Sequence, residues 1–188
     1  MSERKIIVEL ATSADGFIAR RDGSVDWLDR PQPKGNYGMG EFINSIDTIL
    51  MGRKTYDKGI EMGMKDSGFG PRVRNYVFSR QPQKNLLKGF EWANEPVKVF
   101  AQKLRRQPGK NIWMMGGGEL IAAFLDESEL DEFRVHVVPV LIGEGIPLIA
   151  PRRRTIPLEL ISSKSFEDGV VELNYRVKTE SAADKNLR

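Results

Sequence analysis

Runs of apolar residues alternate along this chain with polar, glycine-bearing breaks, and the spacing inside each run sets the element it predicts. Ile6, Ile7 and Val8 follow one another with no polar residue between them, the pattern of a strand covered on both faces, so Lys5 to Leu10 is a first buried strand. An Asp15-Gly16 turn leads to a second apolar stretch at Phe17 and Ile18. Arg20 to Gly40 is rich in Gly, Pro and Asp and carries Trp27 and Tyr37; a loop of that length in a compact domain is expected to act as a lid. Glu41 to Ile46 predicts the end of a short helix with Phe42, Ile43 and Ile46 on one side, and Asp47 to Met51 a second buried strand. Glycine-rich Lys58 to Arg72 reads as a loop, Asn75 to Ser79 and Phe90 to Asn94 as strands, and Val97 to Gln107 as a helix.

Ile112 to Met115 is again apolar without alternation, Gly116, Gly117 and Gly118 remove three side chains in a row, and from Glu119 Leu120, Ile121, Phe124 and Leu125 recur at helical spacing. Asp131 to Ile142 predicts a long strand with a bulge or an edge position at Pro139, and Ile146 to Ile149 a further apolar piece. Leu158 to Phe166 and Val170 to Val177, joined by Glu167-Asp168-Gly169, predict an antiparallel hairpin. Thr179 to Arg188 has no apolar periodicity and is expected to be a tail behind one domain over residues 1–178. Strands alternating with helices imply right-handed crossovers and a largely parallel sheet, with ligands beyond the carboxyl ends of its strands. Those ends carry Gly52 to Thr55, Ser79-Arg80 and Gly116 to Glu119.

A glycine turn between a strand and a helix leaves the first helical amides facing the turn, which suits phosphate, although such turns also serve close packing alone. Gly52-Arg53-Lys54-Thr55 repeats the arrangement with two cations and a hydroxyl. The basic run Arg152 to Arg154 reads instead as a solvated loop. A net charge of +3 from 29 basic and 26 acidic residues argues against a nucleic-acid partner. The absence of cysteine removes disulfide and thiolate chemistry. The polar Met1 to Lys5 and the short apolar runs give no signal peptide and no membrane span, so a cytoplasmic location is expected. The one histidine, His136, sits among valines and reads as structural, which leaves no histidine triad and no metal site.

Five motifs in order, S-A-D-G-F-I-A at Ser13 to Ala19, Trp27-Leu28, L-M-G-R-K-T at Leu50 to Thr55, M-M-G-G-G-E at Met114 to Glu119 and V-V-P-V-L-I-G-E-G-I-P-L at Val137 to Leu148, resemble the dihydrofolate reductase superfamily. Within it, the chain is most similar to the reductase domain of the bifunctional riboflavin-biosynthesis deaminase/reductase and to its small stand-alone bacterial relatives. The resemblance implies a three-layer α/β fold, with a mostly parallel central sheet, helices on both faces and an antiparallel C-terminal hairpin, and hydride transfer from NADPH to a small-molecule substrate. It implies that the Ala11 backbone meets the nicotinamide carboxamide and that Ile18 lies near the ring. Gly52, Arg53, Lys54 and Thr55 would bind cofactor phosphates, the basic pair favouring NADPH over NADH, and Ser79 and Arg80 would flank the adenosine 2'-phosphate. Met115, Gly116, Gly117, Gly118, Glu119 and Leu120 would wrap the pyrophosphate, while Trp27 and Tyr37 would belong to the lid over the substrate. A homodimer is expected on the same ground.

Two positions depart from the pattern. Dihydrofolate reductases hold the pteridine with a carboxylate on the helix after the Trp-bearing loop, and the matching region here, Asn36 to Gly38, offers no acid. Riboflavin-pathway reductases commonly carry a glutamate before the glycine pair, where this chain has Gly116. The side chains proposed for protonation are Asp15, Asp29 and Glu41, beside a water molecule; Asp15 also suits a plain turn. An alternative is a non-enzymatic NADPH-binding module.

Overall fold

The computed structural model describes residues 4–178 apart from 32, 34, 67, 68, 71, 83 and 84. The expected tail over 179–188 lies outside the described residues. The first buried run forms β1 (Ile6–Ser13), which lies between β6 (Asn111–Gly116) and β7 (Glu132–Val138) and is parallel to both. Beyond β6 follow β3 (Ile46–Gly52), β4 (Arg74–Phe78) and β5 (Phe90–Ala93), each parallel to its neighbour. On the other side β10 (Val171–Val177) runs antiparallel to β7, and β9 (Leu158–Ser165) closes the edge antiparallel to β10. The eight-stranded order is β5-β4-β3-β6-β1-β7-β10-β9, and a separate two-stranded sheet joins β2 (Phe17–Ala19) to β8 (Ile146–Pro147).

The absence of alternation in β1, β3 and β6 follows from burial on both sheet faces. On one face α3 (Val97–Arg105) and α4 (Gly118–Asp126) place Phe100, Leu104, Ile121 and Phe124 against Ile6, Val8, Ile112 and Met114. On the other, α1 (Met39–Ser45) and α2 (Arg53–Glu61) place Phe42 and Tyr56 against Ile7, Ile49, Met51 and Trp113. This is the three-layer arrangement, and fully burying a side chain such as Phe124 or Ile121 contributes about 2 kcal/mol in area terms. At the amino-terminal end of the sheet Arg4, almost wholly buried, donates to the Lys110 and Leu104 carbonyls and to Thr48, and pairs with Asp47, tying β3 and α3 together away from the strand ends that matter for ligands.

Several boundaries differ from those expected. Ile46 opens β3 rather than closing α1, because at φ −116°, ψ 162° its backbone is already extended and its side chain is buried. Helix α2 continues through Lys58 to Glu61, ending where the Met62 and Gly63 amides bond the Lys58 and Ile60 carbonyls, and Met64 folds back against Gly59. Gly116 completes β6, and α4 starts at Gly118 rather than Glu119. Strand β7 stops at Val138, one residue before Pro139, so an interior strand ends where its ladder donor would be missing, and no bulge forms. Of Ile146 to Ile149 only Ile146–Pro147 is a strand. Arg152 and Arg154 are not simply solvated: Arg152 pairs with Glu119 at 2.6 Å, and both arginines reach Asp126, so the basic run straps the segment after β8 onto α4. Among the described residues no helix is long and apolar enough to cross a membrane.

Candidate active site

Adjacency of β3 and β6 in the sheet is what brings the two glycine turns together, with Met51 opposite Gly116 in the register. Each turn feeds a helix whose N-cap is a glycine, Gly52 for α2 and Gly117 for α4, and no side chain caps either end. Two helix starts with uncapped amides therefore abut at the carboxyl edge of the sheet, where both dipoles favour an anion. The approach is close. A methyl group added at Gly117 would stand 3.2 Å from Thr55 Oγ1 and 4.0 Å from Ile18 Cδ1, and one added at Gly52 would stand 3.8 Å from the Gly117 nitrogen. The Gly116–Gly117 peptide is cis.

Around this cleft the cations stay accessible: Lys54 is exposed, and Arg53 pairs with Asp57 at 2.6 Å with its side chain 41 % exposed. Ser79 directly follows the neighbouring strand β4, donating to the Gln81 carbonyl at 2.9 Å, and Arg80 beside it is exposed. Met115 lies one residue before the glycine turn, partly buried against the α1 and α2 face. Not every residue of the triplet faces the cleft. Gly118 turns away from it, since a methyl there would meet the Pro147 carbonyl oxygen at 2.6 Å, and its own carbonyl accepts from the Ala150 amide. Leu120 is buried in the core and Glu119 is held by Arg152, so at these two positions only the backbone is on offer.

A second cavity of about 260 Å³ opens beside β1 on the α1 face, with Ala11, Arg30, Tyr37, Met39, Glu9 and His136 among its walls. The described residues of the predicted lid form two single-turn helices, Asp26–Leu28 and Asn36–Gly38, with Tyr37 at φ 55°, in the left-handed region a bulky residue rarely visits. Trp27 is 9 % exposed and packs on Val138 and Val170, so it serves as core beneath the lid. The β9–β10 turn holds the lid down: the Tyr37 hydroxyl donates to Asp168 Oδ2 at 2.5 Å, and Arg30 donates to the Asp168 carbonyl at 2.6 Å. The Tyr37 bond, with the Val170 amide and Arg30, holds the Asp168 carboxyl below its ordinary range, while burial and Asp168 push the Tyr37 phenol up.

The proposed proton donors sit elsewhere. Asp15 accepts from Ser13 Oγ at 2.6 Å and from the amides of Ile142 and Gly143, bonds that hold its carboxyl low and make it the pin of a turn. Asp29 and Glu41 are exposed and do not line the cavity. The acid that does line it is Glu9, 1 % exposed, which sequence reasoning passed over as part of an apolar strand. His136 Nδ1 lies 3.2 Å from Glu9 Oε1, and His136 Nε2 lies 3.3 Å from Glu172 Oε2. A single charged residue at an inward position of a buried strand was the signal available, since such residues are almost never buried without a partner. Among the described residues no three His, Asp or Glu side chains are arranged to hold a metal ion.

A mostly parallel sheet with two glycine-capped helix starts at its carboxyl edge, and a walled cavity beside the next strand, is a fold of the dihydrofolate reductase type. Consistent with this, dihydrofolate reductase from Enterococcus faecalis superposes with a TM-score of 0.64 over 93 % of this chain and 97 % of its own, at 14 % identity, a likeness of fold alone. The model of the RibD C-terminal domain family matches residues 4–172, and the chain belongs to that family, which makes it a reductase-type oxidoreductase by class. It is 36 % identical to Bacillus subtilis YwjB over 92 % of this chain and 98 % of that protein, and 34 % identical to YyaP of the same organism over 93 % and 96 %. A solved structure of a putative riboflavin biosynthesis protein from Shewanella sp. PV-4 superposes with a TM-score of 0.76 at 26 % identity, covering 93 % of this chain and 99 % of its own.

Proposed function

We propose that the protein is an NADPH-dependent reductase of a small heterocyclic or carbonyl substrate, of the kind that reduces 5-amino-6-(5-phosphoribosylamino)uracil. The observation that carries this reading is the abutment of the two uncapped helix starts at Gly52 and Gly117, close enough for the amides of both to face one anionic group such as a pyrophosphate. The residues fit the cofactor. Amides at the starts of α2 and α4 with Thr55 would take its phosphates, Arg53 and Lys54 would supply charge, Arg80 would stand at the 2'-phosphate, and Ala11 and Ile18 would border the nicotinamide. When bound, the reduced nicotinamide supplies a hydride. The chain's own work is then positioning, exclusion of water by the lid strapped down through Asp168, and delivery of a proton.

The riboflavin-pathway assignment draws on the family and on the name of the Shewanella neighbour; dihydrofolate is the alternative acceptor, and a binding module without turnover the alternative outcome. Calorimetry with NADPH and NADH, followed by oxidation of NADPH in the presence of the phosphoribosylaminouracil, dihydrofolate or a panel of carbonyl compounds, tests the reading. Submicromolar to micromolar NADPH binding with weaker NADH binding is the expected result, and no uptake of NADPH sinks it. A homodimer is proposed as well: edge strand β9 presents Leu158, Leu160 and Ile161 to solvent, an apolar row that soluble edges ordinarily avoid. Light scattering on the purified chain reads its mass directly, and a monomer removes this part.

A further inference from the structure

Wherever this enzyme puts a hydride, the heteroatom next to the receiving carbon must collect a proton, and the wall of the 260 Å³ cavity holds one acid built for that task. Glu9 on β1 is 1 % exposed, and its Oε2 has no hydrogen-bond partner. Arg134 Nε stands 3.4 Å from that oxygen without directed bonding. The other oxygen, Oε1, faces His136 Nδ1 at 3.2 Å, and His136 Nε2, also without a bonded partner, faces Glu172 Oε2 at 3.3 Å. Sheet register makes this ladder: Glu9 lies opposite Arg134, Ala11 opposite His136, and His136 opposite Glu172, so three neighbouring strands aim one side chain each into the same layer. Glu172 is the outer member, with its side chain 14 % exposed, and the lid adds Arg30 and Tyr37 with Asp168 behind them.

We propose, resting on the reductase reading above, that Glu9 is the catalytic proton donor of this site, that His136 and Glu172 are the positioning residues through which its proton is replaced, and that the acceptor is a planar nitrogen heterocycle whose C=N nitrogen points at Glu9. The balance is simple. As the carbon receives the hydride that a bound reduced nicotinamide would supply, the C=N π pair moves to nitrogen, and that pair takes the proton from Glu9 Oε2; Glu9 regains a proton through His136 Nδ1, and His136 through Glu172 from solvent. A buried carboxyl whose Oε2 takes no hydrogen bond, in a residue that lines the cavity, suits the neutral acid, and burial indeed raises the Glu9 pKa against the opposing pull of His136 and Arg134. The missing acid of Asn36 to Gly38 is thereby replaced from the opposite wall, by β1 instead of the lid.

The proposal is tested with 2-aminopyridine, a small base with a C=N nitrogen whose absorption changes on protonation. At a pH where the free base is neutral, base bound to the wild-type chain is expected to show the protonated spectrum. In Glu9→Gln the bound base is expected to show the neutral spectrum, with binding weakened roughly tenfold or more, the range lost with a charge-assisted hydrogen bond. Infrared difference spectra of the wild-type chain alone, which need no variant, are expected to lose a protonated-carboxyl band as the base binds. A neutral spectrum in the wild type, the protonated spectrum in Glu9→Gln, no binding of the base, or no lost carboxyl band each overturns the proposal. NADPH calorimetry on both chains separates the two readings: unchanged NADPH binding with a failed base test removes only the role of Glu9, whereas a successful base test without NADPH binding removes the reductase reading and with it the hydride step.

Discussion

The two halves of the candidate site are made of opposite materials. The cleft between Gly52 and Gly117 is built from backbone amides and accessible cations, and Arg53 there keeps 41 % of its side chain in water. The Glu9 wall is built from ionisable side chains with almost no water, drawn from β1, β7 and β10, with Glu9 1 % and His136 6 % exposed. The first can lose a charge cheaply, because an exposed pair such as Arg53–Asp57 is worth about 0–1 kcal/mol. The second cannot, because removing one partner leaves another buried group uncompensated. Changes in the cleft should therefore be read in ligand affinity, and changes in the wall in stability and its pH dependence.

The largest effect marks where the cleft ends and the packing of the fold begins. Gly118→Ala puts a methyl 2.6 Å from the Pro147 carbonyl oxygen, a backbone atom that cannot swing aside, and a cost of about 1–3 kcal/mol is expected in denaturant unfolding. Its neighbour behaves differently: Gly117→Ala meets two side chains, the Thr55 hydroxyl at 3.2 Å and Ile18 Cδ1 at 4.0 Å, and no backbone atom, so unfolding stays near wild type while NADPH affinity falls. Equal destabilisation by both would erase the boundary. Next in size, Arg53→Ala is expected to weaken NADPH binding about tenfold in calorimetry, with little change in melting temperature and a shallower dependence on salt.

The same contrast explains what the sequence disclosed. Gly52 to Thr55 and Gly116 to Glu119 were legible because a strand, a glycine and a helix start are contiguous, so the signal is local. The largely parallel sheet followed from strands alternating with helices, the C-terminal hairpin from its alternating residues, and the helices on both faces from the resemblance. Glu9, His136 and Glu172 are 127 and 36 residues apart, and only the β1–β7–β10 register, which no local pattern encodes, makes them neighbours. The same holds for Asp168, which looks like an ordinary hairpin-turn residue until it is found holding Tyr37. Boundaries such as that at Ile46 were missed because tertiary packing decided them.

The wall can be probed through acid-base linkage. Burial raises the Glu9 pKa above its ordinary 4.5, so between that value and the folded one the native state binds more protons than the unfolded state. The contribution of Glu9 to stability is thus fully present below 4.5 and is lost as pH rises through the folded value. Gln cannot titrate. The unfolding midpoint of Glu9→Gln relative to wild type is therefore expected to move in favour of the variant as pH climbs above 4.5, and a pH-independent difference would show that Glu9 titrates alike in both states.

The smallest effect concerns the strap between the wall and the lid. Asp168 takes the Tyr37 hydroxyl at 2.5 Å and is held below its ordinary 3.8, so its contribution is present at neutral pH and fades as pH falls through the lowered value. Asp168→Asn keeps the shape and an acceptor oxygen but removes the charge, and because the carboxylate is partly solvated the melting temperature should hardly move. What should move is local opening. The amides of Leu28 and Gly38 are bonded only within the two short lid helices, to Val25 and Gly35, whereas those of β1 belong to the central ladder. Hydrogen exchange at Leu28 and Gly38 is expected to quicken in the variant while β1 stays protected, since opening of a lid draws on less free energy than opening of the sheet. Uniform acceleration across both would mean that Asp168 supports the whole fold, and unchanged exchange at Leu28 and Gly38 would mean that the packing of Trp27 on Val138 and Val170 holds the lid without it.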